Sequence, residues 1–125
     1  MMPAVATEPG TARRIPGAGS DEWHDLSGLL QSVIVTLLRW QLQPAGRCDA
    51  WRLALRSDRR EAARCLRDHP VLDAVLHEVV AEAYALALPR ARAALGPAAA
   101  SLPADCPFWP TEILDPNHLP GAGRS

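Results

Sequence analysis

Thirteen arginines and not one lysine make up the fixed positive charge of this 125-residue chain. Five of them, Arg52, Arg56, Arg60, Arg64 and Arg67, recur at intervals of three or four residues. On a helix, where each residue advances by about 100°, they form one strip about 120° wide. A guanidinium offers paired N–H donors that match a phosphate group, so Arg52, Arg56, Arg60 and Arg64 are the candidate contacts for a phosphate or nucleic-acid ligand. The charge is also unevenly spread: residues 39–67 carry +5 and the remainder −6, for a net −1. The competing reading is a solvated helix face whose arginines pair with acids on neighbouring helices. Two absences weigh against the ligand reading. No aromatics interleave with the strip to stack single-stranded bases, and no helix-turn-helix glycine pattern supports duplex reading.

Other chemistry is thinner. Without lysine there is no Walker-type phosphate loop and no Schiff-base nucleophile. Cys65 and His69 lie four apart, and Cys48 and Cys106 would complete a tetrahedral set. Nothing has the C-x-x-C spacing of a zinc site, however, and Cys48 and Cys65 fit an apolar stripe as small hydrophobes. His77-Glu78 begins like the H-E-x-x-H metalloprotease motif, but Ala81 stands where the second histidine belongs. Asp73 and His77, four apart, read as a surface ion pair. No serine lies in a G-x-S-x-G elbow, and Cys106 has no adjacent histidine to activate it. No metal, cofactor or catalytic group is expected.

The elements that would position these side chains are helical. With 48% hydrophobic and 22% charged residues the chain has globular composition. Ser20 and Asp21 are N-cap candidates, followed by Trp23, Leu26, Leu30, Val33, Ile34 and Leu37 on one face of a helix ending near Gln43. Pro44, Ala45 and Gly46 break it. A second helix is expected from about Arg47 to Asp68, with the stripe Cys48, Trp51, Leu55, Ala62, Cys65 and Leu66. Trp40 and Trp51 flank the turn and are expected to meet across it, clamping an antiparallel hairpin.

Pro70 suits the first position of a third helix capped by Asp68 or His69, with an apolar face from Val71 to Ala87. Pro89 predicts a kink or stop, or else the start of a short helix closed by Gly96. Six further prolines from Pro97 to Pro120 predict a strap pegged by Phe108, Trp109, Ile113 and Leu114, with one helical turn near Thr111. Trp40, Trp51, Pro70 and Trp109 are therefore the expected structural anchors. The organisation is a flexible lead over 1–20, one helical domain over 21–120 and a tail over 121–125. The fold class is all-α: a small bundle of three long antiparallel helices with a proline-rich C-terminal strap.

Several landmarks fall in an unusual order: Leu37-Leu38-Arg39-Trp40-Gln41-Leu42-Gln43-Pro44, Trp51-Arg52, Arg59-Arg60 and Asp68-His69-Pro70. Cys106-Pro107-Phe108-Trp109, Glu112-Ile113-Leu114-Asp115-Pro116 and Leu119-Pro120 complete the set. Over residues 21–120 the chain resembles the bacterial family called domain of unknown function 29. The resemblance implies an all-helical domain of unassigned role, with no catalytic or binding residues to carry over. Members of that family usually have a further helical segment ahead of the first helix, which residues 1–20 do not resemble. This chain is expected to be a shortened relative, or one that has lost that segment.

A helix burying about five large apolar side chains contributes on the order of 8–15 kcal/mol before entropy, as much as a whole domain's net stability. Without that neighbour, three amphipathic helices are expected to leave an apolar groove for a second copy or a protein partner. The expected function is a non-enzymatic interaction or oligomerisation module; the alternative is a phosphate- or nucleic-acid-associated protein using the arginine strip. Three cysteines are too few and too odd in number for a disulfide framework. With no apolar signal region and no membrane-length apolar run, a cytoplasmic protein is expected.

Overall fold

Ser20 opens the first helix, α1 (Asp21–Leu42), by accepting the backbone N–H of Trp23 on its hydroxyl at 3.3 Å. Asp21 and Glu22 in the first turn and Arg39 in the last complement the helix dipole. In this computed structural model, which describes residues 20–120, a 3₁₀ turn at Pro44–Gly46 reverses the chain into α2 (Asp49–Asp68). A second 3₁₀ segment, Pro70–Val75, leads into α3 (Leu76–Leu95). A third, Gly96–Ser101, begins the strap that ends in α4 (Pro110–Leu114). The architecture is all-α: three long helices packed together plus a short C-terminal one, with no strand among the described residues. Of the lead expected over 1–20 only Ser20, the α1 cap, is described; the rest of it and the tail over 121–125 lie outside the described residues.

The first helix is the centre of the molecule. It packs against both α2 and α3, which scarcely touch each other. That position explains why its apolar residues wrap so far round: Leu26, Leu30, Val33, Ile34, Leu37 and Leu38 are all buried. The orientation of α3 follows from cross-links along its length. The Trp23 indole donates to Glu82 at 3.0 Å, Arg90 donates to Ser32 Oγ, and Gln43 donates to the Ala94 carbonyl. So α3 runs parallel to α1, and α2 antiparallel to both. Ala83, Ala87 and Ala91, each one turn from the next and fully buried, form a small-residue ridge that lets α3 lie close to α1.

Among the described residues, the apolar groove expected over α1 between α2 and α3 is not open. The cleft left by α2 and α3 over α1 is filled by the chain's own C-terminal segment, since α4 contacts all three long helices. Ile113 is fully buried and Phe108 nearly so, and Leu102, Cys106, Leu114 and Leu119 pack at the core margin. Two polar ties hold this strap: the Tyr84 hydroxyl donates to the Pro103 carbonyl at 2.6 Å, and Arg59 reaches α4 from below.

Four local expectations are corrected. Cys48 is exposed and caps α2 instead of lining its stripe, so the helix starts at Asp49. Pro70 opens a 3₁₀ segment, not the α-helix, which starts only at Leu76. Val71 is exposed as a result. Pro89 neither stops α3 nor starts a new helix. It sits on the exposed face, as does Ala85, whose carbonyl loses its proline-blocked partner to water, while Ala87 and Ala91 are buried on the other side. Gly96 closes that helix with φ +59°, a conformation that L side chains rarely adopt. Finally, Trp109 is 67% exposed and is no peg; its backbone N–H caps α4 by donating to Glu112 at 2.9 Å.

Gly28 is a different case. It lies in the interior of α1, and a Cβ placed on it meets nothing within 4 Å. Glycine inside a helix costs about 0.5–1 kcal/mol relative to alanine. Gly28→Ala is therefore expected to stabilise the isolated domain by about that amount in urea denaturation; a loss of stability would show hidden crowding at this position.

Candidate anion-binding face

The turn between α1 and α2 brings two tryptophans together. Trp40, 3% exposed, meets Trp51 edge to face with ring centroids 6.5 Å apart, as the flanking positions predict. Three guanidiniums lie over these rings. Arg39 is 4.6 Å from the centroid of Trp51, and Arg47 and Arg52 are 5.2 and 5.0 Å from that of Trp40. Arg47 is fixed further by donating from Nε to the Trp40 carbonyl at 2.7 Å.

Stacking engages the face of a guanidinium and leaves its in-plane N–H donors for another partner. Among the described residues the one ion pair is Arg64–Glu61, within α2. Arg39, Arg47 and Arg52 are thus held in place by aromatic rings without a carboxylate consuming their charge.

The predicted strip is exposed along its length. Arg52, Arg56, Arg60 and Arg64 all face solvent, and Arg64 is taken by Glu61. Pairing with acids on other helices, the competing expectation, is not found among the described residues. Two concavities share Arg52 as a wall. One, of about 340 Å³, is lined by Trp40, Arg47, Cys48, Asp49 and Arg52. The other, of about 250 Å³, lies between α2 and the strap and is lined by Arg52, Leu55, Arg56, Arg59, Pro116, Asn117 and Leu119. The face therefore curves from the tryptophan platform along α2.

Arg59 has a separate task. It is 3% exposed, and donates from Nε to the Ile113 carbonyl at 2.7 Å and from a terminal nitrogen to the Glu112 carbonyl at 3.0 Å. Burial pulls its pKa below the ordinary guanidinium value, and the nearby Asp115 opposes that pull. Its role went unread in the sequence, although a signal existed: the apolar stripe of α2 skips a turn between Leu55 and Ala62, and Arg59 occupies the gap. Arg39 and Arg47 were also missed, because neither lies on the helical strip.

The other candidates are dispersed. No cluster of three or more His, Cys, Asp or Glu side chains able to hold a metal ion occurs among the described residues. Asp73 and His77 form no ion pair. Burial raises the thiol pKa of both Cys65 and Cys106. At Cys65 the nearby Asp25, Asp68 and Glu22 push it further up, while at Cys106 the backbone of Phe108 pulls it part of the way back. Neither is an activated nucleophile. A concavity of about 710 Å³ runs between the first half of α1 and the second half of α2, past His24, Asp25, Gly28, Cys65, Asp68 and His69. No helix among the described residues is long and apolar enough to cross a membrane.

Neither a curated protein nor a solved structure matches this chain. The family model described as Domain of unknown function DUF29 matches residues 13–119, a span that takes in both tryptophans of the platform, the arginine strip and the strap. With most of its length matched, the chain belongs to the DUF29 family.

Proposed function

We propose that this domain is a non-enzymatic binding module that engages a nucleic acid through the arginine face of α2 and the adjoining turn. The observation that carries the reading is the ordering of Arg39, Arg47 and Arg52 on Trp40 and Trp51, with no carboxylate neutralising them. Arg56 and Arg60 extend that charge along the helix. Long arginines normally lose rotamer freedom on binding; stacking has already removed part of it, so less is lost when a phosphate arrives.

The test is fluorescence anisotropy with a labelled duplex and a labelled single strand, across a series of salt concentrations. For duplex DNA each phosphate neutralised contributes about 0.9 to the slope of log affinity against log salt. Replacing Arg52, Arg56 and Arg60 together with glutamine is expected to lower that slope by about 2–3 with the helical content unchanged. An unaltered slope would overturn the assignment.

A second reading, self-association or docking of a partner helix, is favoured by one observation. Among the described residues nothing approaches the Cβ position of Gly28, and the glycine lines a concavity of about 710 Å³. Glycine at such a place lets another backbone come close. Light scattering at two concentrations tests it, and Gly28→Ala should weaken any association seen. The three unpaired thiols are those of a protein kept in a reducing compartment, which we take to be the cytoplasm.

A further inference from the structure

The cavity of about 250 Å³ between α2 and the strap differs from the rest of the arginine face. Arg52, Arg56 and Arg59 line it together with Asn117, and no acid stands in the wall. Arg59 is the unusual member. It is 3% exposed, and the Glu112 and Ile113 carbonyls it holds are neutral, so its charge is buried without an ion pair. A buried charge is costly unless a counter-charge meets it. Asp115 is near enough to favour the charged form, but its carboxylate accepts the Asn117 backbone N–H at 2.9 Å and makes no ion pair with Arg59. The two bonds to the strap come from Nε and Nη2. Nη1 takes part in neither, and it is not sealed: among the described residues the buried side-chain nitrogen without a partner is the indole of Trp40. In a side chain otherwise enclosed, that opening faces the cavity that Arg59 lines.

We infer that this cavity seats one phosphate group, bound by Nη1 of Arg59, the Arg56 guanidinium and the Asn117 side-chain amide, with Arg52 at its edge. The inference rests on the polyanion reading above and deepens it: one phosphate is gripped here, while Arg60 and the turn supply diffuse attraction. Leu55, Pro116 and Leu119 complete the wall, and apolar surroundings strengthen the attraction between the charges. Three guanidiniums without an acid favour phosphate over a singly charged carboxylate. Occupation also has a mechanical consequence. Arg56 and Arg59 belong to α2 and Asn117 to the strap, so the anion ties the strap to the helix.

The experiment is an NMR titration at fixed ionic strength that follows the Arg59 Nε–H, assigned from Arg59→Lys, and the Asn117 side-chain amide, assigned from Asn117→Asp. Inorganic phosphate, acetate and a short oligonucleotide without terminal phosphates are the probes. Both resonances are expected to move and saturate with phosphate and to ignore acetate. Arg56→Gln should weaken binding about fivefold, the worth of one charge at contact distance in water. Asn117→Asp, read at the Arg59 Nε–H, should weaken it by about as much, and Arg60→Gln, outside the wall, much less. Release of the strap would dismantle the site. Phosphate at about 100 times its dissociation constant should therefore slow hydrogen exchange of the Thr111 to Asp115 amides about a hundredfold, and unaltered exchange overturns the tie. An oligonucleotide that moves the same resonances assigns the seat to a nucleic-acid backbone. Movement with inorganic phosphate alone assigns it to a free phosphate or monoester, still a phosphate site. Resonances that ignore phosphate, that follow acetate equally, or that respond unchanged in both Arg56→Gln and Asn117→Asp overturn the seat. That failure is separable from failure of the polyanion reading. Duplex binding lost on substituting Arg52, Arg56 and Arg60 without any phosphate response leaves the face standing without the seat, whereas a phosphate response with no oligonucleotide binding leaves the seat without the face.

Discussion

Arg59→Leu is expected to destabilise the domain by about 3–5 kcal/mol and to release the C-terminal strap. Hydrogen bonds from a charged donor are worth about 1.5–3 kcal/mol each, and Arg59 makes two, to the carbonyls of Glu112 and Ile113. Leucine fills part of the volume but donates nothing, so both carbonyls lose their partner inside the fold. Those carbonyls lie in the short helix whose Ile113 covers the core, so the loss propagates to the packing of α4 on all three long helices. Arg59→Lys should recover less than half, because one ammonium on a flexible stem does not reproduce a planar fork spanning two successive carbonyls. Urea denaturation measures the stability, and hydrogen exchange of the amides from Thr111 to Asp115 measures release of the strap. A cost below about 1 kcal/mol, with those amides still protected, would show that Phe108 and Ile113 hold the segment unaided.

The second large effect is expected at Trp40. Truncating a buried tryptophan to alanine typically costs about 3–5 kcal/mol, and Trp40 is 3% exposed. Its edge-to-face contact with Trp51 adds about 0.5–1.5 kcal/mol beyond buried area, and the guanidiniums of Arg47 and Arg52 lose the ring they rest on. Trp40→Phe should retain most of the stability, since it keeps an aromatic ring and removes a donor that has no acceptor. Trp51→Ala should cost less than Trp40→Ala because Trp51 is only half-buried. A double-mutant cycle between the two positions isolates the ring–ring term; a coupling near zero would mean that the turn is held by the backbone alone.

The pairing of Trp40 with Trp51 could be read before any coordinates because both flank a short Pro-Ala-Gly turn, and antiparallel helices then bring the flanking positions opposite each other. The arginine strip could be read for a similar reason: it depends on the helical period and on nothing farther away. Arg59 shows where such reading stops. Its neighbours Arg56 and Arg60 are exposed, and nothing in residue type separates the three. What buries it is a pair of carbonyls more than fifty positions along the chain.

Pro89 shows the same limit. A proline in a helical run predicts a break from local sterics, yet α3 continues because the residue it robs faces water while the alanine ridge on its other side is anchored to α1. The expected apolar groove shows it too: a strap pegged by Phe108 and Ile113 was legible, but not that α4 would settle against all three long helices and cover α1.

Helix number, helix faces, the tryptophan-flanked turn and the segregation of arginine were written in the chain, because each follows from spacing within a few turns. Which carbonyls would receive the Arg59 guanidinium and what would cover α1 depended on contacts between segments distant along the chain. Such contacts are set by how the amphipathic surfaces fill one another's space, and no local period records that.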